Sequence, residues 1–102
     1  MRVISQNSYI DVPYEEIALS TGRNASGTEH YIFLNFLHPQ RSVHENTLGT
    51  YSTEEKALKA MEMLRSKYED YTEYMIGRNQ DFQFAFIPPK VFQFPKDEEV
   101  EV

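Results

Sequence analysis

The chain has 102 residues, a net charge of −6 and no cysteine, a size suited to one core, and a disulfide framework, a thiolate metal site and a cysteine nucleophile are excluded. The excess of acid argues against non-specific binding to a DNA or RNA backbone, whose affinity comes from counterions released by clustered Lys and Arg. No run approaches the ~18 apolar residues that span a bilayer, and Met1-Arg2 leads into a polar segment without an apolar signal region, so a cytoplasmic protein is expected.

In chain order, Val3, Ile10 and Val12 alternate with polar neighbours around Gln6-Asn7-Ser8, which predicts a hairpin of Arg2–Ser5 with Tyr9–Val12. Pro13 lacks an amide donor and ends or edges the second strand. A third strand is expected over Glu16–Ser20, then a small-residue loop from Thr21 to Thr28 with two glycines. His30–Leu37 is the most apolar run of the first half and reads as a central strand. After a loop over His38–Asn46, Thr47–Tyr51 is a short strand leading into a helix.

That helix, Ser52 to Gly77, has the best-defined signals. Ser52 with Glu55 forms a capping-box pattern, and Gly77 supplies a left-handed stop. Ala57, Met61, Leu64, Tyr68, Tyr71 and Met75 fall on one stripe at alternating steps of four and three. The helix would be roughly 35–40 Å long, more than short flanking strands cover. The stripe follows a seven-residue repeat, so Met61, Leu64, Tyr68, Tyr71 and Met75 are expected to form a contact between subunits of a homo-oligomer. Beyond it, Phe82, Phe84 and Phe86 alternate with Gln83 and Ala85 as a strand, Pro88-Pro89 breaks it, and Val91–Phe94 forms a last short β segment. The order predicts an α+β fold: an antiparallel sheet packed on one long helix within a single domain, 1–95, followed by a flexible acidic tail, 96–102.

Catalytic signals are missing. There is no nucleophile elbow, P-loop, dinucleotide fingerprint or zincin helix. Glu15-Glu16 would point to opposite faces of a strand, and Glu54-Glu55 serve a helix start. His30, His38 and His44 lack metal-ligand spacing, so neither catalytic residues, a metal nor a cofactor is expected. Asn24-Ala25-Ser26 matches a glycosylation sequon by accident. Binding is the open route: seven Tyr and seven Phe exceed the needs of a small core, rings stack on planar ligands, and Arg23 and Arg78 sit in turns where a guanidinium can hold a phosphate. The alternative reading is that the Phe82–Phe86 strand is core and the arginines are solvated.

Four segments, Met1–Asn7 (MRVISQN), Asp11–Glu15 (DVPYE), Tyr51–Leu64 (YSTEEKALKAMEML) and Phe92–Pro95 (FQFP), together resemble small proteins carried by phages and prophages of Gram-positive bacteria. In size and element order the chain looks most like the anti-Thoeris sponge proteins, which sequester cyclic ADP-ribose signals. That resemblance implies a non-enzymatic counter-defence protein in the host cytoplasm, an oligomer with pockets at subunit boundaries, and rings and arginines around a cyclic nucleotide. No ligand residue of that family is carried over by position. The residues expected to bind are Arg23, Arg78, Phe82 and Phe84, with Arg65 and Asn79 as further candidates. Two alternatives stand beside this reading: an acidic inhibitor that binds a host defence protein, and a structural or regulatory dimer without ligand.

Overall fold

A computed structural model describes residues 1–35, 46–77 and 91–102, the side chains of 73–77 excepted. The expected Phe82–Phe86 strand, Arg78, Asn79, His38, His44 and the side chain of Met75 therefore lie outside the described residues. The elements are β1 (Arg2–Ile4), β2 (Asp11–Pro13), β3 (Leu19–Arg23), β4 (His30–Leu34), β5 (Thr47–Tyr51), α1 (Glu54–Gly77) and β6 (Val91–Gln93), with 3-10 turns at Tyr14–Glu16 and Asp97–Glu99. The class is α+β, as the pattern predicts. The single antiparallel sheet is not: among the described residues there are two three-stranded sheets, ordered β2-β1-β6 and β3-β4-β5.

In the first sheet β1 and β2 form the expected hairpin, with Val3 opposite Val12. Its turn is closed by Ser5 N donating to Ile10 O at 2.8 Å, and the Asn7 side chain accepts from Tyr9 N at 3.0 Å. The C-terminal strand β6 pairs parallel to β1, Val3 opposite Phe92. It therefore brings the two ends of the chain into one sheet.

In the second sheet the predicted Glu16–Ser20 strand is displaced. After Pro13 the chain tightens into the 3-10 turn, so β3 starts at Leu19 and runs on through Arg23. The expected eight-residue loop shrinks accordingly. Asn24 Oδ1 accepts from Thr28 N at 2.9 Å and Glu29 N at 3.1 Å, so its side chain closes a turn that passes through Gly27 at φ 73°. Asn24 Nδ2 meanwhile donates to Thr28 Oγ1 at 3.0 Å, so the sequon amide is engaged within the turn.

Between β4 and β5 the register shifts at Ile32/Phe33, Ile32 facing Gly49 and Phe33 facing Thr47, which leaves Leu48 as a bulge residue. Leu48 is buried, and a Cβ on Gly49 would come within 2.8 Å of the Tyr51 ring. Only glycine lets that ring lie back over the strand.

α1 packs against β4 and β5. Its cap is one residue later than the Ser52–Glu55 pattern predicts: Thr53 Oγ1 accepts from Lys56 N at 3.1 Å, and Ala57 N closes the first turn on Thr53 O. Ser52 is otherwise occupied. The buried face is Ala57, Ala60 and Leu64, joined in one core by Val3, Ile32, Leu34, Leu48, Tyr51, Phe92, Phe94 and Val100. Ala60 is outside the predicted stripe; its small side chain lets the helix approach the sheet.

The subunit contact expected along the stripe finds no support. Leu64 is 1% exposed and has no surface to offer a second copy. Met61, Tyr68 and Tyr71 pack against the chain's own core, and the Tyr68 ring lies 4.3 Å, centroid to centroid, from Tyr14 in the 3-10 turn. Aromatic pairing within the chain thus covers part of what the heptad spacing offers to a partner.

The tail is not free either. Asp97 Oδ1 accepts from Ser52 N at 2.8 Å and Ser52 Oγ at 3.0 Å, while Lys56 Nζ reaches the Asp97 carbonyl at 3.0 Å. Val100 is 4% exposed. Charge repulsion among Asp97, Glu98, Glu99 and Glu101 argues for a mobile tail, but one buried valine and the helix-start donors outweigh it. Among the described residues, no helix is long and apolar enough to cross a membrane.

Candidate functional site

Where the β3–β4 hairpin meets the first turns of α1, a cleft of about 370 Å³ opens, lined by Thr21, Gly22, Arg23, His30, Glu54, Ala57 and Leu58. The hairpin register makes Arg23 and His30 direct partners, so their side chains leave the same face of the sheet. Ile32 and Leu34 on that face are covered by the helix, whereas Arg23 is exposed. Glu54 stands opposite on the first turn of α1, and Leu58, 49% exposed, gives the cleft an apolar wall.

Among the described residues, Arg23 is an uncommitted cation. The ion pairs among the described residues use Met1 with Glu15, Arg2 with Asp11, Lys56 with Asp97 and Lys59 with Glu62. The Arg2–Asp11 hydrogen bonds hold Asp11 below the usual carboxylate range and raise Arg2. Arg23 has no such partner there, and its guanidinium is available for an anion.

A second depression, about 350 Å³, lies among Gln6, Asn7, Thr50, Lys96, Asp97 and Glu98. Its central polar groups are already spent: Gln6 bonds Thr50 and Pro95, and Asp97 bonds Ser52 and Lys56. Asp97 is held below its ordinary value first by the Ser52 amide, then by the Ser52 hydroxyl and Lys56. The Tyr51 phenol, which donates to Pro95 O at 2.7 Å, is pushed up by burial and by the charges of Asp97 and Glu99, so it is a fixed neutral donor. These groups serve the fold.

Of the residues expected to bind, the structure places Arg23 in the cleft. Arg65 is exposed on α1, about two turns beyond Leu58, and does not line it. Arg78, Asn79, Phe82 and Phe84 lie outside the described residues. His30 and Glu54, which the sequence reading assigns to a strand and to a helix start, also line the cleft, as does Leu58. For His30 a signal existed, since any tight turn centred on Asn24–Glu29 sets it opposite Arg23. For Glu54 and Leu58 there was none, because the side of the sheet taken by the helix is a tertiary choice. Among the described residues, no group of three or more His, Asp or Glu is placed to hold a metal ion. Compared with models of known protein families, with curated proteins and with solved structures, the chain matches none.

Proposed function

We propose that the protein sequesters a phosphorylated cyclic nucleotide signal, of the cyclic ADP-ribose type, without cleaving it, as a counter-defence protein of phage kind acting in the host cytoplasm. The observation that carries this reading is the uncommitted Arg23 beside His30 at the edge of a cleft of about 370 Å³. The resemblance in size and element order to the anti-Thoeris sponge proteins supplies the ligand class. In the cleft, Arg23 takes a phosphate by charge-assisted hydrogen bonds, Glu54 accepts from ribose hydroxyls, and a base rests against Leu58. Titration calorimetry with cyclic ADP-ribose isomers and a panel of cyclic dinucleotides tests it. One of them is expected to give heat, and Arg23→Ala to weaken that ligand about 10–100-fold, the loss of one charged hydrogen-bonding group. Silence from every compound removes the proposal.

A second reading, an acidic inhibitor of a host protein, is favoured by the docked tail. The Asp97–Ser52 bonds hold Glu98 beside a helix start that already carries Glu54 and Glu55. Acid fixed in place is a better imitation of a phosphate backbone than acid on a loose tail. Reversing Glu98 and Glu101 to lysine tests this reading, since both are exposed and neither holds the tail down.

A further inference from the structure

The two outer edges of the second sheet are treated differently. Along β5, Gln6 N donates to Leu48 O at 2.7 Å, and the Gln6 side-chain amide accepts from Thr50 N at 3.0 Å. That edge is closed. Among the described residues the β3 edge has no equivalent. Asn35 N donates to Ala18 O and Asn24 N to Glu29 O, which with the Leu19↔Leu34 to Arg23↔His30 register turns the amides of Ala18, Ser20, Gly22 and Asn24 toward β4. Alternation then turns the N–H and C=O groups of Leu19, Thr21 and Arg23 outward, and no described residue pairs with them.

β3 also lacks the devices that guard an edge. The first sheet's edges, β2 and β6, are three residues each, and β2 ends on Pro13. β3 has five residues, LSTGR, with neither proline nor bulge and its one charge at the end. The helix packs on β4 and β5 and leaves Thr21 and Arg23 exposed.

We infer that the β3 edge is the docking site for a second copy of this chain, two β3 strands pairing antiparallel about a two-fold axis through Thr21. The register is chosen by the residues. An axis at Arg23 would oppose two guanidiniums, and an axis at Leu19 would run the strand into the Tyr14–Glu16 turn. An axis at Thr21 sets each Arg23 opposite a Leu19, along which its aliphatic stem packs. It uses all three outward residues: two bonds where Thr21 meets Thr21 and two at each Leu19–Arg23 pairing, about six in all. The result is a continuous six-stranded sheet, in which the β3 strand of the second copy extends the floor of the Arg23 cleft. The interface stands whether or not the cleft takes a nucleotide, and its test uses no ligand.

Sedimentation equilibrium of the whole chain is expected to give twice the 12.0 kDa chain mass. Thr21→Asp and Thr21→Lys each face a like charge across the axis, at a Cα separation of about 5.5 Å. Each is expected to move the dimer–monomer midpoint at least about ten-fold to higher concentration, with an unchanged far-UV spectrum because Thr21 is exposed. Mixed in equal amounts, the two variants oppose Asp to Lys and are expected to form a heterodimer. A wild-type chain that stays monomeric up to millimolar concentration, variants that dimerise as the wild type does, or a mixture that stays monomeric would each overturn the assignment.

Discussion

A chain ending at Pro95 is expected to be less stable than the whole protein by about 3–5 kcal/mol. Removing the buried Val100 forfeits about 1.5–3 kcal/mol of apolar transfer. Losing Asp97 leaves Ser52 N and Lys56 Nζ without their partner, at about 1–2 kcal/mol together for groups this near solvent. For a domain of this size that lowers the melting temperature by roughly 15 °C or more. A melt within a few degrees of the wild type would mean that the tail does not dock. Val100→Ala and Asp97→Asn divide the effect. Asp97 has its acidity raised by the Ser52 amide, and a depressed carboxyl pKa contributes stability that is present above the unfolded value. That contribution is lost as the pH falls from about 3.9 through the folded value. Urea melts between pH 2 and 7 should show a shallower acid limb for Asp97→Asn than for the wild type. The same reasoning spoils deletion as a probe of the acidic surface, since it unseats the core along with the charge.

The parts of the fold that the sequence discloses are those decided within a few residues. The hairpin around Asn7, the strand at Thr47–Tyr51 and the body of α1 follow from alternation and helical spacing, which neighbours set. The cap does not: Ser52 and Thr53 are both N-cap formers, Ser the better by type, and the choice falls to Thr53 because Asp97, far along the chain, engages Ser52. β6 is foreseeable as a strand but its parallel pairing with β1 is not, because that register is fixed by packing Phe92 and Phe94 into the core. Tyr68 illustrates the limit from the other side. Its position on the stripe is plain, but only the fold says whether its ring meets another subunit or Tyr14. Arg23 was legible as a turn-adjacent cation, while its cleft depends on the helix lying over β4 and β5 and leaving β3 uncovered.

Gln6→Ala is expected to cost about 2–4 kcal/mol, large for a half-buried residue in a turn. The Gln6 amide behaves as one more peptide unit of the sheet: Oε1 accepts from Thr50 N at 3.0 Å, and Nε2 donates to Thr50 O at 3.3 Å and Pro95 O at 2.9 Å. With its backbone bond to Leu48 O, it joins the first sheet to the second and holds the C-terminal segment against both. Alanine keeps the backbone bond but leaves the Thr50 amide without a partner, and a part-buried unpaired donor costs about 1–3 kcal/mol. The Pro95 carbonyl retains the Tyr51 hydroxyl. Hydrogen exchange should accordingly show the Thr50 amide losing protection while the amides of β4 keep theirs. Gln6→Glu separates geometry from hydrogen bonding. Its carboxylate still accepts from Thr50 N, but its second oxygen faces two carbonyls and has no proton to give them. Folding therefore favours the protonated acid and raises that carboxyl's pKa above the usual glutamate value of about 4.3. A raised folded pKa contributes stability that is present at low pH and is lost as the pH rises through it, so relative to wild type this variant should be more stable at pH 5 than at pH 7. A Gln6→Glu variant with the same deficit at both pH values would show that the amide's donor protons do not hold the two sheets together.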